Sequence, residues 1–145
     1  EISYGLTAFH ADNAQKRHPI LMLLDILALF YKKHQIGESV SEQELLDIIG
    51  RAELGRLPTY IVQLEQQNLV KRTDTDEYVL VRNLAQVDFW SFFSALPYTL
   101  PLGKDIAHIY SEELWMQTLG PELKQCDDYL AQKLSIPLAN IFERS

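Results

Sequence analysis

The sequence predicts a mainly α-helical fold carrying one small β-hairpin, and three stretches carry that prediction. "PILMLLDILALFYKKH" (19–34) repeats apolar residues at three- and four-residue spacing, the period of a helix. "VSEQELLDIIG" (40–50) holds a helix-start signature and a glycine stop. "GRLPTYIVQLEQQNLVKRTDTDEYVLVR" (55–82) reads as a helix, a sharp stop and two short strands around an acidic turn.

Taken in order, "EISYGLTAFHADNAQKRH" opens with a short mixed apolar piece and closes on a polar stretch with Lys16, Arg17 and His18. Pro19 suits a first helical turn, where its missing N–H costs nothing. Ile20, Leu23, Leu24, Leu27, Phe30 and Tyr31 form a stripe, and Leu21, Ile26 and Leu29 make the helix apolar almost all round. That pattern predicts a central helix packed on several sides. Lys32, Lys33 and His34 suit its C-terminal end, and Gly37 stops it.

Ser41 and Glu44 then form a capping box, with Val40 and Leu45 placed as the hydrophobic staple. Gly50 ends this helix. Pro58 starts the next, with Leu57, Ile61 and Leu64 on one face, and Asn68 tolerates the left-handed conformation that stops it. Leu69 and Val70 begin one strand, "TDTDE" is a turn by composition, and "YVLV" is the second strand. Helix, short strand, capped helix, helix, hairpin is the order of a winged helix-turn-helix. Beyond Asn83, Phe89, Phe92, Phe93 and Leu96 share a helical stripe, and "LPYTLPLG" reads as an ordered linker. One further helix holds Ile106, Ile109, Tyr110 and Leu114; a second starts at Pro121 and holds Leu123, Cys126, Leu130 and Leu134. The division expected is a leading segment 1–18, a winged-helix domain 19–96, and a helical extension 97–145 packed on it.

Composition narrows the function classes. With 47% hydrophobic residues in 145, the chain can bury a real core. Its net charge of −7 opposes a nucleic-acid backbone globally. Cys126 is the only cysteine, which excludes a disulfide framework and a cysteine-based zinc site, and points to a reducing cytoplasm. The run "ILMLLDILALFY" is broken by Asp25 and falls short of the ~20 residues that span a bilayer. The first residue is Glu, so the chain is expected to begin partway through something larger.

Several pieces together resemble the tail of the YihY/BrkB (virulence factor BrkB) family of polytopic bacterial inner-membrane proteins. Members of that family once carried the name tRNA-processing ribonuclease BN. "EISYGLTAF" resembles the exit of the family's last membrane helix. "LLDILALFY", "SEQELLDII", "LEQQNLV", "EYVLV", "RNL", "LPYTLPL" and "LSIPLANIF" follow the pattern of its cytoplasmic domain. Asn68 stands where the pattern has Gly and Asn83 where it has Asp; both replacements suit turns. The resemblance implies a membrane partner through upstream transmembrane helices and a parent protein in the inner membrane, with this domain on the cytoplasmic side. Lys16, Arg17, Lys32 and Lys33 fit the positive-inside rule for that side.

Three chemistries bear on these residues. For DNA reading, the face opposite Leu57, Ile61 and Leu64 carries Arg56, Thr59, Gln63 and Gln66, which offers one cation. The hairpin sets Lys71 and Arg72 against Asp74, Asp76 and Glu77, so a solvated or protein-facing surface outweighs DNA or RNA binding. For metal-assisted cleavage, Asp74 and Asp76 read as turn chemistry, and His108 with Glu112, one helical turn apart, finds no second pair. Adjacent Asp127 and Asp128 diverge around their helix. Cys126, on the apolar stripe, reads as an inert small hydrophobe. The aromatics of "FWSFF" read as core and not as a ligand pocket. The expectation is therefore a non-catalytic interaction or regulatory domain, with no catalytic, cofactor-binding or metal-ligating residues and no small molecule. Its partner would be another protein or a second copy. A soluble winged-helix regulator binding DNA stands second, and a ribonuclease fragment third.

Overall fold

The computed structural model describes residues 18–107 and 114–143. Contacts group into two units that divide between Leu100 and Pro101.

The first unit is built on helix α1 (Pro19–Gln35), which opens where the His18 ring nitrogen Nδ1 accepts the Ile20 N–H at 3.1 Å. Ile20, Met22, Leu23, Ile26 and Phe30 are fully buried, as expected of a central helix. Tyr31 is the exception on its stripe. It is 47% exposed, because one residue beyond Phe30 the stripe turns away from the core. Gly37 adopts φ +72°, and the Glu38 N–H closes the helix onto the Lys33 carbonyl at 2.8 Å.

Helix α2 (Glu42–Ile49) starts with the predicted capping box: the Ser41 hydroxyl accepts the Glu44 N–H, and the Glu44 carboxylate accepts the Ser41 N–H at 3.0 Å. Val40 and Leu45 are both fully buried beside it. Between α2 and helix α3 (Leu57–Gln66) lies a 3₁₀ segment, Arg51–Arg56, that the apolar pattern does not announce. Helix α3 buries Leu57, Tyr60, Ile61 and Leu64, and Asn68 takes the left-handed conformation (φ +59°) just beyond it.

Strand β1 (Val70–Arg72) pairs antiparallel with β2 (Tyr78–Leu80), Lys71 opposite Val79 and Arg72 opposite Tyr78. Val40 joins this hairpin through a single bridge to Tyr78, exchanging two backbone hydrogen bonds of 2.7 and 2.8 Å. After a 3₁₀ turn (Leu84–Gln86), Asp88 caps helix α4 (Phe89–Ser94) by accepting the Ser91 N–H at 2.8 Å. Phe92 and Leu96 enter the core and Phe89 and Phe93 lean on it, whereas Trp90 is 64% exposed.

The second unit contains α5 (Lys104–Ala107), α6 (Leu114–Lys133) and α7 (Leu138–Phe142). Two expectations are corrected here. Pro121 lies inside α6 and does not open a helix. Proline forfeits one backbone hydrogen bond, but its φ is helical, so a helix already nucleated can continue through it. The stripe Leu123, Cys126, Leu130 and Leu134 does not form a buried face either. Leu123 is buried, while Leu130, Leu134 and Cys126 are exposed, so Cys126 is no core hydrophobe. Ile109 and Tyr110, expected on a helix of this part, lie outside the described residues. Among the described residues no helix is long and apolar enough to cross a membrane.

Candidate interaction surface

The surface that a helix and hairpin would present to a partner is built from α3, the β1–β2 turn and the groove between them. Arg56, the cation at the N-terminal end of α3, is engaged within the protein. The guanidinium donates to the Tyr60 hydroxyl at 3.4 Å and sits 3.7 Å from the carboxylate of Glu53. The Tyr60 hydroxyl in turn donates to Glu53 at 3.2 Å. Glu53 is only 3% exposed, so this cluster compensates a carboxylate withdrawn from water. Burial pushes the Tyr60 phenol above its ordinary range, and neighbouring Arg56 works against that rise. Gln63, the best-placed amide for a base edge, instead accepts the Tyr98 hydroxyl at 3.0 Å. Thr59 and Gln66 remain at the surface.

The hairpin treats its cations similarly. Arg72 donates to the Tyr78 hydroxyl at 2.8 Å, and its guanidinium carbon lies 5.3 Å from the centre of that ring. The Tyr78 hydroxyl first, and then the carboxylates of Asp76 and Glu65, hold Arg72 still higher than its usual value. Arg82 donates to the Gln67 carbonyl at 3.2 Å. Lys71 is exposed and forms no ion pair among the described residues. At the tip, the Thr73 hydroxyl accepts the Thr75 and Glu77 N–H groups, and Asp76 is left-handed (φ +63°). Asp74 and Asp76 thus sit on a turn organised by Thr73, as their spacing predicts. Glu77 is spoken for as well, by the Ser39 hydroxyl.

Between α2, α3 and the hairpin runs a groove of about 410 Å³, lined by Glu42, Leu45, Leu57, Pro58, Ile61, Val62, Glu65, Arg72 and Tyr78. Its floor is apolar and its rim carries two carboxylates against one guanidinium. Such a groove can take an apolar side chain flanked by a basic one; a phosphate would meet Glu42 and Glu65. A second, more polar hollow of about 350 Å³ lies among Gln67, Arg82, Gln86, Asp88 and Ser91.

For the chemistry of cleavage, His108 and Glu112 lie outside the described residues. Among the described residues no three His, Cys, Asp or Glu side chains gather as a metal site. What sequence reasoning missed is the Glu53–Arg56–Tyr60 cluster. Sequence carries no direct signal for it, because Glu53 sits in the 3₁₀ segment with a non-helical backbone (φ −129°), so helical spacing does not bring it to Tyr60.

No family model matches the chain, and no solved structure matches it. Curated relatives do. A UPF0761 membrane protein of Acinetobacter baylyi is 65% identical over 143 residues, 99% of this chain and 34% of the relative. One from a Psychrobacter species is 37% identical over 147 residues, 100% of this chain and 27% of the relative. One from Chromohalobacter salexigens is 24% identical over 123 residues, 85% of this chain and 28% of the relative. The relatives support membership of the UPF0761 (YihY/BrkB) family. This chain spans about a third or less of the length of these UPF0761 proteins.

Proposed function

We propose that the chain is the cytoplasmic, C-terminal winged-helix domain of a multi-spanning inner-membrane protein, working as a non-catalytic interaction or regulatory module. The membrane parent is supported by the names of the relatives, each a membrane protein, and by their extra length. The winged-helix reading is supported by the element order: α1, the Val40 bridge, α2, α3 and the hairpin. One observation carries the preference for a protein partner. Arg56, Arg72 and Arg82 each spend their guanidinium on the protein itself, beside a groove with an apolar floor and acidic rim. A surface that binds nucleic acid must instead offer cations to phosphates.

The test of the topology is a reporter fused after Ser145 of the full-length protein. Activity characteristic of the cytoplasm is expected. A periplasmic signal sinks the domain's assignment to that side.

A further inference from the structure

Beyond the helix-and-hairpin surface, the second unit ends in a run of unusual composition. From Tyr129 to Phe142 the sequence is "YLAQKLSIPLANIF", in which Lys133 is the only charged residue. The structure leaves the large apolar side chains of this run in water: Leu134 is 65% exposed and Leu138 68%, and Tyr129, Ile136 and Ile141 are each about half exposed or more. Scattered exposed apolar residues are ordinary, but seven large ones within fourteen consecutive residues mark a stretch that something covers.

We propose that this run, the last turn of α6 together with α7, seats on the surface of a lipid bilayer. The inference rests on the reading of the chain as part of a membrane protein, which keeps the bilayer within reach. Three features select lipid as the occupant. The first is charge: the run carries one lysine and no acidic residue to oppose headgroups. Lysine can snorkel to headgroups while its stem lies along acyl chains, and tyrosine suits the same depth. The second is length: the five residues of α7 cannot span a bilayer but can lie in its interface. The third is area: a stable dimer covers ~800 Å² and ~20–30 residues on each partner. A run of 14 residues offers fewer, whereas seating in the bilayer interface needs no partner face of matching shape.

The test is flotation of the 145-residue chain with phosphatidylcholine vesicles, with and without phosphatidylglycerol. The chain is expected to float with both, with little loss at high salt, because the contact is apolar. Leu138→Asp combined with Ile141→Asp should lower the bound fraction by about ten-fold or more. Both positions are exposed, so the thermal midpoint should stay unchanged and a folding defect can be told apart. Trp90→Ser, at an exposed aromatic residue of the first unit, should float like the parent chain. Absence of flotation, or flotation that survives the double substitution, overturns the proposal. So does a concentration-dependent dimer that the double substitution dissolves while no vesicle binding is seen. In each case fractionation of the full-length protein separately decides the membrane-parent reading: recovery in the membrane fraction of cells is expected, also for the double substitution, and recovery in the soluble fraction overturns that reading.

Discussion

Helices α1 and α6 are both long and both carry a leucine-rich stripe, yet they use it differently. Helix α1 buries Ile20, Met22, Leu23, Ile26 and Phe30 in a core it shares with α2, α3 and the hairpin. Helix α6 buries Met116 and Leu123 and then leaves Tyr129 and Leu130 at the surface, where Leu134 just beyond it also lies. Periodicity reports that a helix has an apolar face. It does not report whether the rest of the chain supplies something to cover that face. The same pattern thus means structure in the first unit and an available surface in the second.

The largest expected effect sharpens that contrast. Phe30→Ala removes a ring from a filled core and should cost about 3–5 kcal/mol of unfolding free energy in a urea titration. Leu130→Ala, on the uncovered part of α6, should stay within about 0.5 kcal/mol. Similar losses at the two positions would mean that the α6 stripe is covered after all, and the contrast would collapse.

Next in size is Arg56→Ala. If Arg56 serves the fold, its removal leaves the carboxylate of Glu53 with one compensating partner fewer, and should destabilise by about 1–2 kcal/mol. The thermal midpoint should fall accordingly, and Arg56→Lys should recover only part of it, because an ammonium cannot reproduce the guanidinium geometry. An unchanged midpoint would return Arg56 to the docking surface.

Much of the first unit is legible in the sequence, and the reason is locality. The Ser41–Glu44 capping box, the Val40–Leu45 staple and the left-handed stop at Asn68 are each decided by residues within a few positions of one another. The 3₁₀ segment Arg51–Arg56 was not legible, because it depends on burying Glu53 under Tyr60, a tertiary matter. The candidate surface was legible in composition and not in use. Sequence showed Arg72 beside acidic residues; only the strand register places it opposite Tyr78, where the guanidinium is spent. Helix α6 was misread at Pro121 because a proline that starts a helix and one that a helix tolerates look alike in sequence.

A smaller effect tests the local signals by pH. The Glu44 carboxyl is held below its ordinary 4.5, chiefly by the Lys33 ammonium at 2.6 Å and then by the Ser41 N–H. A carboxyl with a depressed folded-state value stabilises fully above its unfolded value. That contribution is lost as pH falls through the lower, folded one. Stability should therefore decline below about pH 4.5 with a component that Glu44→Gln removes. Ser41→Ala should cost about 1 kcal/mol at neutral pH and flatten the same acid limb. An acid limb identical in the Gln variant would show that the Lys33–Glu44 contact contributes nothing.

The smallest expected effect is none at all, and it bears on the helix-and-hairpin face. Arg56, Lys71, Arg72 and Arg82 are balanced there by Glu65, Asp74, Asp76 and Glu77, on a chain whose net charge is −7. Non-specific binding to a duplex is sustained by releasing counterions from several phosphates at once, and its affinity falls steeply with salt. Three of these four cations are already occupied by Tyr60, Tyr78 and the Gln67 carbonyl, which leaves Lys71 to meet a phosphate. One contact cannot hold a duplex, so even the search step that precedes sequence reading should fail. Titrating a labelled random duplex at low salt should give no saturable anisotropy change at micromolar protein. If binding does appear, weakens steeply with salt and vanishes in Lys71→Ala without loss of the thermal midpoint, then this face does meet phosphates. The internal pairs of Arg56 and Arg72 would then be a resting arrangement that DNA displaces, and the acidic groove beside them would lose its claim to a protein partner.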